Sequence, residues 1–149
     1  MKTMYDAATL QEILSRVDAL DPSAKPAWGK MNASQMLAHC NQTLRVVTGK
    51  MNLPRTLLGR ILGPMVRSAY VGETPLRKNS PTNPEFVITD TRDFAKEKEF
   101  YKALVKEFHE GGEAKCTRHP HSFFGPLTPE EWGRTTYKHL DHHLSQFGV

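Results

Sequence analysis

Apolar residues recur every three or four positions through most of the chain, and this helical periodicity limits its fold more than any other feature. The segment AATLQEILSRVDAL, residues 7–20, places four apolar side chains on one helical face: Leu10, Ile13, Leu14 and Val17. The pair Asp21-Pro22 then ends the run. This segment is predicted to form a first long helix.

A second long helix is predicted for NASQMLAHCNQTLRVVTG, residues 32–49. Asn32 is a candidate N-cap, and Gln35 stands three residues later at the capping-box position. Gly49 is suited to end the helix, because glycine adopts the left-handed backbone common after a C-terminus. His39 lies at the edge of the apolar stripe of this segment.

The rest of the chain continues the helical pattern. After Pro54 we expect a shorter apolar helix that ends near Tyr70, and then a surface loop over 72–86 rich in proline. The segment 93–112 has helical spacing and closes with two glycines. The last helix is predicted from Pro129 to Phe147, with Thr128 as its N-cap.

Four long helices and no convincing run of period 2 predict an all-α protein. The expected architecture is a four-helix bundle with a short extra helix and a long loop between the second and third long helices. A chain of 149 residues is the usual size of one domain, so we expect a single domain over 1–149.

Composition and cysteine spacing argue for a cytoplasmic protein. The N-terminus lacks the apolar core of a secretory signal, and the most apolar stretch is interrupted by Arg55 and Arg60, so no membrane span is expected. Cys40 and Cys116 are far apart and form no CxxC motif, which suits a reducing compartment. Each cysteine is expected to be a small buried side chain.

Basic residues concentrate in one segment. Residues 45–84 contain one acidic residue, Glu73, and seven basic residues: Arg45, Lys50, Arg55, Arg60, Arg67, Arg77 and Lys78. Such a patch can meet phosphates, carboxylates or an anionic surface. It lacks interleaved aromatic residues and nucleic-acid motifs, so a solvated helix face is the preferred interpretation and nucleic-acid binding is not expected.

The dense histidines near the C-terminus suggest a metal site. His139 and His143 are four residues apart on the last predicted helix, which brings their Cβ atoms to about 5–6 Å. Two imidazoles make a weak site, and His39, in the middle of the second helix, is the best candidate for a third ligand. His142 points about 100° away from His143 and is not included. Hydrogen-bonded or surface histidines are the alternative.

Two phrases, MNASQMLAHCNQTLR and YKHLDHHLSQFG, carry a family resemblance. They resemble the DinB-like (YfiT-like) superfamily of metalloenzyme-type four-helix bundles, and HPHSFFGPLTPEEWGRTTYKHLDHHLSQFG is similar to a bacterial branch described only as a domain of unknown function. The resemblance implies that His39, His139 and His143 bind one divalent metal ion. Many members have arginine directly after the last ligand, where this chain has Leu144, and only Gln146 matches the glutamine two residues further.

The resemblance also implies a range of functions. Members include transferases that use low-molecular-weight thiols, so a metal-dependent thiol transferase or hydrolase acting on a small molecule is the leading expectation, with zinc or nickel as the metal. The alternative is a non-catalytic ligand-binding or stress-response bundle, for which a homodimer formed through helix faces is a candidate assembly. Neither substrate nor reaction follows from fold-level analogy.

Other polar groups have simpler interpretations. One loop has a spacing that could supply part of a zinc site, with Cys116, His119 and His121. No second set of ligands stands at a matching spacing, so a plain loop is expected. Three side chains near His39 are weaker candidates to orient a ligand: Gln35, Gln42 and Thr43. Trp132 and Phe147 are expected in the core, and Glu130 and Glu131 at the start of the last helix.

Overall fold

Every element of regular structure in the protein is helical. The computed structural model describes all of residues 1–149 and contains no β-strand. Its five α-helices are α1 (Ala7–Ala19), α2 (Ala33–Val47), α3 (Leu57–Val71), α4 (Phe94–Lys115) and α5 (Pro129–Gln146), with one 3-10 turn at Pro84–Phe86. The all-α prediction is therefore confirmed. None of these helices combines the length and the apolar character needed to cross a bilayer.

The hydrophobic core is built by four of the five helices. α2 packs most extensively against α4, and α1 contacts both α4 and α5. The core includes Ile13 of α1, Leu37 of α2, Leu104 of α4 and Leu140 of α5, each at most 1 % exposed. α3 contributes no side chain to this cluster, and among the helices it packs against α5 alone. Both free cysteines and the predicted core residues Trp132 and Phe147 are buried.

Capping signals place the starts of the two helices that carry the clustered histidines. Asn32 accepts a hydrogen bond from the Gln35 amide, and the Gln35 side chain accepts one from the Asn32 amide. Thr128 and Glu131 form the same reciprocal pair at the start of α5. Each box satisfies two backbone donors that a helix start otherwise leaves open. The predicted starts of both helices are confirmed.

α4 and α3 each add a detail to the sequence expectation. The long run of α4 reaches the two glycines as predicted, and Gly112 breaks it with a non-helical conformation of φ 55° and ψ −161°. A short helical stretch to Lys115 follows beyond this kink. The extra helix α3 was expected to be short but has 15 residues, two more than α1. It includes Pro64 in its interior.

Candidate metal centre

Three histidines from two helices converge between α2 and α5. One ligating atom each of His39, His139 and His143 lies within 4.8 Å of the other two. The Nε2 atoms of His39 and His139 are 3.2 Å apart, and the His143 ring centroid is 4.7 Å from that of His39 and 4.6 Å from that of His139. The structure thus brings together the three residues that the sequence singled out.

Helix geometry explains which histidines meet. His139 and His143 are one turn apart on α5, so both face α2, where His39 occupies a central position. His142 points elsewhere, and its ring lies 5.3 Å from that of Trp28. It also lies 5.1 Å from the ring of His143, so it adjoins the cluster, but it is not one of the three side chains whose ligating atoms converge.

Burial keeps the three rings neutral. His39 is 3 % exposed and His143 9 %, while His139 retains more accessible surface. Burial, the largest cause in each case, lowers the pKa of all three imidazoles, and the neighbouring rings lower those of His139 and His143 further. The pKa of His143 falls to about 3. Neutral imidazole is the form that binds a metal ion.

The backbone fixes the tautomer of His39. Its Nδ1 lies 2.9 Å from the carbonyl oxygen of Phe86, in the 3-10 turn. A carbonyl oxygen only accepts, so the proton of the neutral ring is on Nδ1 and Nε2 presents a lone pair to the cluster. Hydrogen bonds of this kind orient metal-ligating histidines in proteins.

A two-step chain of hydrogen bonds fixes the tautomer of His143. Its Nδ1 lies 2.9 Å from Oε1 of Gln146, and the Gln146 amide nitrogen donates to the carbonyl oxygen of Trp28. Because Trp28 accepts from the amide nitrogen, the amide oxygen must face His143, which then donates from Nδ1. The Nε2 lone pair of His143 is left to face the cluster.

The tautomer of His139 is the adjustable one. Its Nδ1 is 3.4 Å from the hydroxyl of Thr43, which itself lies 2.8 Å from the carbonyl oxygen of Cys40. When the hydroxyl donates to Cys40, it accepts from Nδ1 of His139, and all three Nε2 lone pairs converge. When the hydroxyl turns and donates to His139, that ring carries its proton on Nε2 and can donate to His39.

The donor set fits a divalent transition metal. Two nitrogen ligands of one tetrahedral zinc ion, each at about 2.0–2.1 Å, are about 3.3–3.4 Å apart. The separation of 3.2 Å between the two Nε2 atoms of His39 and His139 is close to that value. Two lone pairs at this distance repel each other unless a proton or a cation lies between them. Three neutral imidazoles suit zinc, nickel, copper and iron alike.

Only part of the sequence-predicted surroundings reaches the cluster. Thr43 contacts His139, but Gln35 is used by the α2 capping box and Gln42 accepts from Arg45. The sequence reasoning missed the carbonyl groups of Phe86 and Trp28. It noted Gln146 without giving it a role, although the spacing of three from His143 on one helix was the signal that could have found it.

The second histidine motif lies in the loop between α4 and α5. The side chains of Cys116, His119 and His121 do not come together as a group of three potential metal ligands, as those of the cluster do. Nδ1 of His121 accepts from the amides of Phe123 and Phe124 at 3.0 and 3.2 Å. Its loop is thereby folded around the imidazole.

Internal contacts use several residues of the basic segment. Lys50 pairs with Glu107, and Arg67 pairs with Glu131. The ammonium group of Lys78 lies 4.3 Å from the ring centroid of Trp28, beside a cavity of about 240 Å³ that His142 also lines. Three of the seven basic side chains of this segment are thus engaged within the protein.

These observations define the class of the protein: it is all-helical and has a three-histidine cluster between α2 and α5. Within that class the chain belongs to the family described as "Protein of unknown function (DUF1569)", whose model matches residues 2–148. No curated protein and no solved structure matches the chain significantly.

Proposed function

We propose that the protein is a DinB-like, bacterial-type metal-binding protein in which His39, His139 and His143 hold one divalent ion, zinc or nickel. The proposal extends to catalysis, with thiol transfer or hydrolysis on a small molecule as the two reaction classes to test. It further places the protein in the cytoplasm, since the two cysteines are far from each other along the chain and both are free.

The observation that carries the metal proposal is the orientation of the rings. His39 and His143 each donate outward from Nδ1, to a backbone carbonyl and to an amide oxygen that is itself held by a carbonyl. Their Nε2 lone pairs therefore face the cluster whatever the metal content. Histidines that do not act together would not be expected to point their Nε2 lone pairs at one another in this way.

A bound divalent ion with three imidazole ligands would supply Lewis acidity that brings the pKa of a water or a thiol toward neutrality. The chain's own residues prepare that chemistry. Phe86 and Gln146 hold two rings in the ligating tautomer, and burial prevents the rings from competing for protons near pH 7. His139 retains the most accessible surface of the three, so it is the ring past which we expect a small molecule to reach the ion.

A non-catalytic role is the second candidate, and one contact favours it. With its proton on Nε2, His139 donates directly to His39 across 3.2 Å, and Thr43 satisfies its other nitrogen. In this form the cluster is a buried hydrogen-bonded network that stabilises the packing of α2 on α5. Such a bundle would serve as a binding module.

Elemental analysis of untagged protein purified without chelators distinguishes the two. The parent is expected to carry about one equivalent of zinc or nickel, or to take it up on titration, and each single variant, His39→Ala, His139→Ala and His143→Ala, is expected to lose it. His142→Ala is the matched control, because that ring adjoins the cluster without facing it.

The outcomes separate metal binding from catalysis. A parent that takes up no metal, or three variants that bind as well as the parent, would exclude the site. Loaded parent that binds metal but turns over neither thiol-transfer nor hydrolytic substrates would leave a metal-binding module. If the cluster is instead a hydrogen-bonded network, the three His→Ala variants would be less thermally stable than the parent, and neither parent nor variants would contain metal.

A further inference from the structure

The outer face of α3 is apolar and exposed to solvent. It comprises six large side chains that are 39 to 76 % exposed: Leu57, Leu58, Ile61, Leu62, Met65 and Val66. At about 100° per residue these side chains cover about half of the helix circumference. A monomer seldom exposes a contiguous apolar surface of several hundred Å² unless that surface binds something.

The inner side of α3 has two glycines where it lies closest to the body of the protein, so this side cannot be exchanged for the outer face. Gly59 and Gly63 lie against the backbone of Phe123 and Phe124, and a Cβ at Gly63 would be 2.2 Å from the carbonyl oxygen of Phe123. Rolling the helix to bury its large side chains would drive them into this backbone. The apolar side chains therefore face outward because of how α3 is seated.

Both ends of α3 are anchored to the body of the protein. At its start, the Thr56 amide donates to the carbonyl oxygen of Ser122, 3.0 Å away. At its end, the Lys138 ammonium group donates to the carbonyl oxygens of Ala69, Tyr70 and Gly72 at 2.9 to 3.0 Å. The exposed face is thus a fixed surface.

We propose that this outer face of α3 is the homodimer interface of the protein, with a second copy of the same face as its occupant. The face consists of two rows of side chains spaced by four residues: Leu57, Ile61, Met65 and Leu58, Leu62, Val66. Rows of this kind on two identical helices interdigitate in the commonest class of helix packing. A two-fold axis brings the same patch together with itself.

Charge and area favour a second copy over a membrane. The face carries no charged side chain, and α3 contains only two cations, Arg60 and Arg67. Arg67 is already paired, since its Nη2 donates to both oxygens of Glu131 at 2.8 and 2.7 Å. A membrane-surface helix usually needs a polar face rich in lysine and arginine. Six large side chains, each 39 to 76 % exposed, supply the apolar centre of an interface, for which the standard size is about 800 Å² per partner.

Sedimentation velocity and light scattering on the full chain test the proposal. The parent is expected to have twice the 16.9 kDa of one chain, and Ile61→Glu and Met65→Lys are each expected to raise the dimer dissociation constant by about 100-fold or more, because each interface would bury two like charges. Phe100→Glu on α4 is the matched control, since it removes an exposed apolar side chain elsewhere. Circular dichroism confirms that each variant folds.

Several results would overturn the proposal. A monomeric parent at all concentrations would exclude the dimer, and co-flotation of that monomer with phosphatidylglycerol vesicles, lost in Ile61→Glu, would reassign the face to lipid. A dimer that survives both α3 substitutions, or that Phe100→Glu dissociates equally, would place the contact on another face. Metal content is measured in parallel, so failure of the dimer and failure of the metal site remain distinguishable.

Discussion

Two histidine environments in this protein are opposite in polarity. In the cluster, Nδ1 of His39 and of His143 donates outward to an oxygen, so a lone pair on Nε2 faces the other rings. In the loop after α4, Nδ1 of His121 accepts two backbone amides, so its proton is on Nε2 and that nitrogen is a donor. A dense set of histidines is therefore not enough to indicate a metal site. The partner of Nδ1 decides the matter. When Nδ1 donates to an oxygen, Nε2 offers a lone pair, and when Nδ1 accepts from an amide, Nε2 carries the proton.

Removing one ring from each environment gives the largest expected contrast. His143→Ala deletes one of three ligands and is expected to weaken zinc or nickel binding by more than about 100-fold, beyond the usual effect of removing a supporting group. His121→Phe, which keeps the aromatic packing against Tyr70 and Trp132, is expected to leave affinity unchanged within about twofold. Isothermal titration with the metal alone measures both. An equal loss of metal affinity in the two variants would contradict the proposed difference between the two histidine environments.

Acid should destabilise the protein through His121. Burial, followed by the charge of Arg55, lowers its pKa from about 6.5 to about 4. Between pH 4 and 6.5 the unfolded chain therefore binds more protons at this residue than the folded protein does. The contribution of His121 to stability is fully present above pH 6.5 and is lost as the pH falls toward 4. The loss amounts to at most about 3 kcal/mol from this ring.

The His121→Phe variant tests this pH dependence. Two backbone amides lose their acceptor, so the variant should be less stable than the parent by about 1–3 kcal/mol at pH 7.5, and the gap should close as the pH approaches 4. Urea unfolding across this range measures the gap. His119→Phe, in the same loop but exposed, serves as control and should follow the parent. A gap that stays constant with pH would contradict the assignment.

Gln146 should matter to the cluster without touching a metal. Gln146→Leu removes the acceptor that holds His143 and is expected to lower metal affinity by about 10- to 100-fold. Gln42→Leu, on the partner helix and hydrogen-bonded to Arg45, is the control and should be neutral. Full affinity in Gln146→Leu would mean that packing alone orients the ring.

Thr43 should have the smallest effect of the contacts around the cluster. Its hydroxyl is 3.4 Å from Nδ1 of His139 and can either accept or donate there. Thr43→Val keeps the shape and is expected to reduce metal affinity by less than about 10-fold, at the lower limit for a supporting group. An effect larger than that of Gln146→Leu would show that His139 depends on this hydroxyl more than the distance indicates.

The sequence predicted the helices well because side chains near in sequence specify them. The capping pairs of α2 and α5 and the HxxxH spacing all act within one or two turns. They gave correct helix starts and singled out two histidines that the structure brings together with His39. The outward orientation of α3 could not be predicted in this way. Periodicity shows that one face is apolar, but the close contact of Gly63 with Phe123 depends on segments about 60 residues apart.

The surroundings of the cluster were hidden for a different reason. The group that fixes His39 is the carbonyl of Phe86, 47 residues away, and every residue has a carbonyl. No residue type marks such a contact. The short helical stretch beyond Gly112 is similar, since the two glycines predicted the break and only the fold decides whether the chain resumes a helix after it.

The use of main-chain carbonyls around the cluster has a consequence for how the protein tolerates change. Phe86 and Trp28 could be exchanged for many other residues without loss of these hydrogen bonds, provided that the backbone keeps its course. Gly29 lacks that freedom, because it has a φ of 81° and a Cβ there would lie 2.7 Å from the Gln146 amide nitrogen. A mutational scan should therefore find that Gly29 tolerates fewer substitutions than Trp28, its neighbour in the chain.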